Sequence, residues 1–239
     1  MSNCLFWLIG RGASISCNLR WVVPDEINKL GREEQIQKIK EAISEEMDSS
    51  YIDTSPYKEL LSILSSNTHP DWQHMFITTN WDYLLQREIL NMGYTELPKW
   101  LSNSHVYHIN GTVEELADNS QRSPFLLETD GPEMRMQTNE GNSAFTHMSW
   151  GQVFVVVGMS FECEMDKFLL ASLNQIEDDL PIGESSWLIV NPNQEALEKS
   201  AQAIKTALPR ANVYMLNERF DNWVSKKLPE LEKEGILVF

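Results

Sequence analysis

The feature that most constrains this chain is a recurring pair of segments: a short, unbroken apolar run that stops at a small or amide residue, then a stretch with helical spacing. Leu5-Phe6-Trp7-Leu8-Ile9 ends at Gly10, Met75-Phe76-Ile77-Thr78-Thr79 at Asn80, and Val153-Phe154-Val155-Val156-Val157 at Gly158. His105-Val106-Tyr107-His108-Ile109 instead alternates like a strand and ends at Asn110-Gly111, Trp187-Leu188-Ile189-Val190 ends at Asn191, and Val213-Tyr214-Met215-Leu216 supplies a sixth strand-like run. The continuous run Leu5–Ile9 reads as a strand buried on both faces, and Val153–Val157 as the clearest strand of the chain. Trp81–Leu90, Glu164–Leu173 and Glu195–Leu208 between them read as helices. The alternation predicts a Rossmann-like, doubly wound α/β fold: a mostly parallel sheet of about six strands with helices on both faces.

Two segments interrupt the alternation. Residues 25–72 are polar and helical, with Ile27, Leu30, Ile36, Ile39 and Ile43 recurring among charges, and Ser55-Pro56 reads as an N-cap and first helical residue leading into Tyr57–Leu64. This predicts a small helical insertion between the first two strands. Residues 112–150, richer in Gly, Asn and Ser, read as a long loop or partly helical insertion, and segments of that length inside a compact domain are often functional. The 239 residues are expected to form a single domain, 1–239.

Composition narrows the partners. A formal net charge of −16, from 35 acids against 19 bases, repels phosphate backbones and anionic bilayers, so neither a nucleic acid nor a membrane surface is expected as a partner. It leaves room for a small anionic ligand, because backbone N–H groups and one local arginine can hold a pyrophosphate. The three cysteines, Cys4, Cys17 and Cys163, make neither a disulfide framework nor a C-x-x-C zinc pair, so no metal is expected. The apolar start lacks a cationic leader region and no run is long enough to span a bilayer, which points to a cytoplasmic protein.

In an open parallel sheet the carboxyl ends of the strands share one edge, and ligands bind in the crevice there. Gly10, Arg11, Gly12, Ala13, Ser14, Thr79, Asn80, Asn110, Gly158, Ser160 and Asn191 would therefore line one site suited to a nucleotide-type ligand. Gly10 and Gly12 would let the backbone approach a pyrophosphate, with a helix N-terminus behind them. Ile15 stands where a third glycine would complete the dinucleotide fingerprint, and a G-x-G after a strand also reads as a tight turn.

Gly10-Arg11-Gly12-Ala13-Ser14, Thr78-Thr79-Asn80-Trp81-Asp82, His108-Ile109-Asn110-Gly111-Thr112, Gly158-Met159-Ser160 and Asn191-Pro192 together, in this order, resemble the sirtuin-like family. The resemblance covers residues 5–216 and implies a Rossmann-like domain that binds NAD+ at Gly10–Ser14, Thr79, Gly158, Ser160 and Asn191. The chain departs from the family in three places. It has no cysteines for the zinc module of the deacetylases, Asn18-Leu19-Arg20-Trp21 replaces the family's G-I-P-D-F-R, removing an aspartate and leaving Arg20 as a positional substitute for its arginine, and Asn110 occupies the place of the catalytic histidine.

The resemblance implies cleavage of the nicotinamide–ribose bond, with Asn80 orienting the ribose or the water and Asn110 or His108 at the histidine's place; Asp82 reads as a charge stabiliser, while the resemblance gives it a structural or ribose-side role. His108, two residues before Asn110, reads either as a base one pleat back or as a packed strand-end histidine; Asn110-Gly111 also reads as a plain turn, and Asp82 as an N-terminal helix charge. Zinc-less prokaryotic members resemble NAD+ hydrolases of antiviral defence, which are silent until triggered. The expected function is therefore an NAD+ hydrolase releasing nicotinamide and ADP-ribose, activated by a sensor or regulatory chain or by self-assembly. The alternative is a catalytically impaired module that binds NAD+ or an ADP-ribose-type nucleotide as a sensor or scaffold subunit. A deacylase is disfavoured by the missing zinc module and histidine, and a redox enzyme by the incomplete fingerprint.

Overall fold

The computed structural model of the protein describes residues 3–66, 72–92, 106–114, 124–173 and 181–228. Its first elements are β1 (Asn3–Ile9), α1 (Arg11–Ser16), α2 (Arg32–Met47), α3 (Ser55–Ser66), β2 (Trp72–Thr78), α4 (Leu84–Asn91) and β3 (Val106–His108). Then come α5 (Pro132–Gln137), α6 (Asn139–Met148), β4 (Val153–Val157), α7 (Glu164–Leu173), β5 (Ser186–Val190), α8 (Gln194–Ala207), β6 (Asn212–Leu216) and α9 (Phe220–Asn222). A turn of π-helix, Trp223–Lys227, continues from α9; nothing in the periodicity had indicated helix there.

The strands form one six-stranded parallel sheet in the order β3-β2-β1-β4-β5-β6, with helices on both faces: the Rossmann-like α/β fold that the alternation predicts. The unbroken apolar runs have a direct cause. Along β1, Leu5, Trp7 and Ile9 enter the core under α2, α3 and α4, while Phe6 and Leu8 enter the opposite core under α6, α7 and α8. β4 divides the same way, Val155 and Val157 against Phe154 and Val156. Successive side chains point to opposite faces, so a strand covered on both sides must be apolar at every position. Each such buried side chain contributes roughly 1.5–3 kcal/mol.

Boundaries differ from the sequence reading where side chains cap the backbone. α3 begins at Ser55 itself, and the acceptor for its N–H is Asp53 Oδ1 at 2.9 Å. α4 starts at Leu84 rather than near Trp81, because Asp82 Oδ1 accepts the Leu84 N–H at 3.1 Å and holds the preceding residues out of the helix. The described part of 112–150 contains α5 and α6. His105 and the stretches 67–71 and 115–123 lie outside the described residues.

Phe154 is fully buried between Phe6 (centroids 5.2 Å apart) and Trp187 (4.1 Å). Phe154→Ala is expected to lower stability by about 3–5 kcal/mol, from lost transfer energy and the cavity left behind. Chemical denaturation would show this as a lower midpoint at unchanged slope; a loss below about 1 kcal/mol would contradict the packing described.

Candidate active site

The strand order reverses between β1 and β4, which opens a crevice at their carboxyl ends. Registers Ile9↔Thr78 and Ile9↔Val157 bring Gly10, Thr79 and Gly158 to one level there. The two loops meet backbone to backbone: Gly10 N–H donates to Val157 O (2.9 Å) and Gly12 N–H to Gly158 O (2.8 Å). A Cβ on Gly12 would stand 2.6 Å from Gly158 Cα, and one on Gly158, whose φ is +64°, only 2.4 Å from Ala13 N. These glycines are required by contact with each other. The Gly12 and Ala13 N–H groups are already engaged, by Gly158 O and by Gly10 O (3.1 Å).

Beside this contact lies a cavity of about 700 Å³, within the range of sites that enclose small ligands. Arg11, Ser14, Thr79, Asn80 and Asp82 line its sheet side; Gln35, Ile39 and Ile43 of α2 and Leu127, Glu128 and Thr129 form walls. A directed chain of hydrogen bonds links three of these. Asn80 Nδ2 donates to Gly10 O (3.1 Å) and Ser14 Oγ (2.8 Å), and Ser14 Oγ–H donates to Asp82 Oδ2 (2.6 Å). Tyr57, fully buried, is also within hydrogen-bond reach of Ser14. Burial raises the Asp82 carboxyl above its ordinary range, and the bonds from Ser14 and the Leu84 N–H pull it part of the way back. Arg11 is exposed at the edge and donates to Trp21 O (3.2 Å).

The remaining candidates surround this cluster without lining the cavity. Gly10, Gly12, Ala13 and Gly158 make the packing contact just described. Ser160 Oγ accepts the Glu162 N–H (3.4 Å) and its carbonyl the Ser200 hydroxyl (3.1 Å), while Asn191 Oδ1 accepts the Asn193 N–H (2.9 Å) and turns the chain into α8. Asn110 has no exposed surface: Nδ2 donates to Thr79 O (2.9 Å) and Oδ1 accepts from Arg135 Nε. His108 is buried with its ring stacked on Tyr83 (6.0 Å), and burial lowers its imidazole to about 4. Arg20 is exposed, its backbone N–H donating to Glu46 Oε1 (3.0 Å).

Two residues beside the site escaped the sequence reading. Asp166, in the first turn of α7, accepts the Thr79 hydroxyl (2.8 Å) and the N–H groups of Ser160 and Phe161; burial raises its carboxyl and these bonds oppose the rise. Phe161 is held at φ 55°, a left-handed backbone costing on the order of 1–3 kcal/mol. An acid at the third helical position after a strand-end G-x-S was the available signal. Arg135, without exposed surface in α5, gave none, since an arginine in a polar segment reads as solvated. Among the described residues no group of three His, Cys, Asp or Glu could hold a metal ion, and no helix is long and apolar enough to cross a membrane.

The buried imidazole makes a pH prediction. His108 is neutral in the fold down to about 4, whereas the unfolded chain takes up its proton near pH ~6.5. Between these values the unfolded state binds more protons, so this contribution to stability falls as pH falls. Asp82 and Asp166, with raised folded values, act in the opposite direction, so the comparison is with a variant. From pH 7 to pH 5, wild type is expected to lose about 2 kcal/mol relative to His108→Phe. Parallel pH dependences in urea denaturation would refute the neutral, buried assignment.

A comparison with protein-family models finds no match, and neither does one with curated proteins. Solved structures do match over nearly the whole chain. A Sir2Tm structure bound to a propionylated peptide superimposes with a TM-score of 0.58 at 16% identity, covering 98% of this chain and 94% of the other. A Sir2 complex with 2'-O-acetyl-ADP-ribose and a deacetylated p53 peptide gives 0.55 at 14% over the same shares, and a Sir2–p53 peptide–NAD+ complex 0.53 at 13%, covering 99% and 95%. With the strand order, the glycine contact and the cavity at the sheet's switch point, this likeness establishes that the chain has the sirtuin-like fold.

Proposed function

We propose that the cavity takes NAD+ as its substrate and that the protein is an NAD+ hydrolase, an antiviral-defence effector switched on by a partner chain or by assembly in the cytoplasm. The observation that carries this reading is the Asn80–Ser14–Asp82 chain on a cavity of nucleotide size at the switch point. Structures of the same fold whose ligands are NAD+ and 2'-O-acetyl-ADP-ribose support the choice of dinucleotide.

The charges around the cavity suit the chemistry. Hydrolysis breaks the bond between ribose C1' and the ring nitrogen; the electron pair leaves with neutral nicotinamide, water oxygen bonds to C1', and one proton passes to solvent. No general acid is needed, and the demand on the protein is to stabilise positive charge at the ribose. Asp82, Glu128 and Glu164 are the acidic groups on the cavity: Asp82 is buried and bonded to Ser14, whereas Glu128 and Glu164 are exposed and Glu164 pairs with Lys167 (2.7 Å), so the preorganised part of this lining is the Asn80–Ser14–Asp82 chain. Arg11, at the edge, is the cation suited to a diphosphate. Asn80 Oδ1 receives no hydrogen bond from the described residues, which makes it the acceptor for a ribose hydroxyl or the attacking water, while Nδ2 is fixed by Gly10 and Ser14.

The second reading, a module that binds NAD+ or an ADP-ribose-type nucleotide as a sensor or scaffold subunit, is favoured by one observation. Neither His108 nor Asn110 lines the cavity, so a base for the ribose hydroxyls is lacking at the family's position. Absence of a general base typically costs ~10²–10⁴-fold and does not abolish cleavage.

Nicotinamide release from NAD+, followed chromatographically with the protein alone and with the product of its neighbouring gene, separates the two readings. Asn80→Ala is expected to lower kcat by about 10²–10³-fold while ADP-ribose binding, measured by calorimetry, stays within about twofold. No release under any condition, with binding retained, would establish the binding module instead.

A further inference from the structure

Arg135 is a buried cation whose bonds all go to uncharged oxygens. It has no exposed surface; Nη2 donates to Leu127 O (2.9 Å), Nη1 to Gly131 O (3.3 Å) and Asp130 O, and Nε to Asn110 Oδ1. A guanidinium stays charged in a protein, and a buried charge is tolerated only when its donors are satisfied. The 127–131 turn must therefore keep its carbonyls facing inward. From outside, Arg32 of α2 holds the Asp130 carboxylate (2.7 Å), whose Oδ2 also accepts the Leu127 N–H (2.8 Å). Leu127, Glu128 and Thr129 of this turn wall the cavity, while Arg135 does not line it.

The other end of the same side chain reaches the floor. Asn110 accepts from Arg135 and donates to Thr79 O, and the Thr79 hydroxyl donates to Asp166. One guanidinium thus sets wall and floor together. We propose that Arg135 is a positioning residue of the cavity and that Asn110, at the place of the family's histidine, couples it to the β2 edge instead of reacting. An amide suits this position because it accepts and donates at once and carries no proton that titrates. The functional part of the inference rests on the cavity being the NAD+ site proposed above; the structural part does not.

Arg135→Lys in the full chain, checked for folding by circular dichroism, tests it with three readouts. Hydrogen exchange at the Leu126, Leu127 and Asp130 amides is expected to quicken at least about tenfold, with the β4 amides unchanged. KM for NAD+ and Kd for ADP-ribose are expected to rise about tenfold while kcat stays within about threefold, since a displaced wall weakens positioning. A merely structural role would leave KM unchanged and lower kcat with the folded fraction. Wild-type exchange in the turn of a folded variant, or an unchanged Kd, overturns the proposal. If wild type binds ADP-ribose yet never releases nicotinamide, the hydrolase reading fails and exchange and binding decide this one. Should Arg135→Lys not fold, Asn110→Ala replaces it: raised Kd with the turn still protected is expected, and an unchanged Kd overturns the coupling.

Discussion

Where β1 and β4 end, two loops approach as closely as bare backbone permits, and the site depends on that approach. Gly12 and Gly158 share a hydrogen bond, and a single Cβ on either would fall within 3 Å of backbone atoms of the other loop. Backbone has no rotamer with which to give way, so a side chain here would force α1 away from β4. Ser14 sits in the first helical turn after the contact, and its hydroxyl is the middle link between Asn80 and Asp82. The geometry of that polar chain is thus inherited from the glycine contact, and glycines that resemble a phosphate cradle in the sequence serve first as the spacer setting α1 against the sheet.

Around this contact the fold spends buried polarity freely. Asp82 and Asp166 are carboxyls driven upward by burial, each held by a neighbouring hydroxyl and by backbone N–H groups, and Arg135 is a guanidinium sunk among carbonyls. Partly satisfied groups of this kind would be costly, whereas fully bonded ones fix a single arrangement. The strained Phe161 backbone lies in the same loop and is held by Asp166. Such concentrations of buried charge and strain gather where a fold maintains a site, and here they lie beside the cavity at the carboxyl ends of the strands.

The strand set was legible because strand formation in a covered sheet is a local matter. β1 and β4 announce themselves as unbroken apolar runs, and their terminators mark the carboxyl edge of the sheet. That edge brings Arg11, Ser14, Thr79, Asn80 and Asp82, from two loops distant in the chain, to one cavity. Helix ends were less legible, since a side chain such as Asp82 can hold several residues out of a helix that periodicity would extend.

By itself, then, the amino-acid order determined the alternation of strand and helix, the side of the sheet on which the polar residues collect, and the absence of cysteine pairs for a zinc ribbon. Only the tertiary structure decided the strand order, the use of Gly10, Gly12 and Gly158 against each other, and the turning of Asn110 towards Arg135 and of Thr79 towards Asp166. Those partners lie 25 and 87 residues apart. Apolar periodicity reports which face of an element is covered. It carries no record of which polar atom will meet which across a close-packed core, because that is settled by the shape of all the elements together.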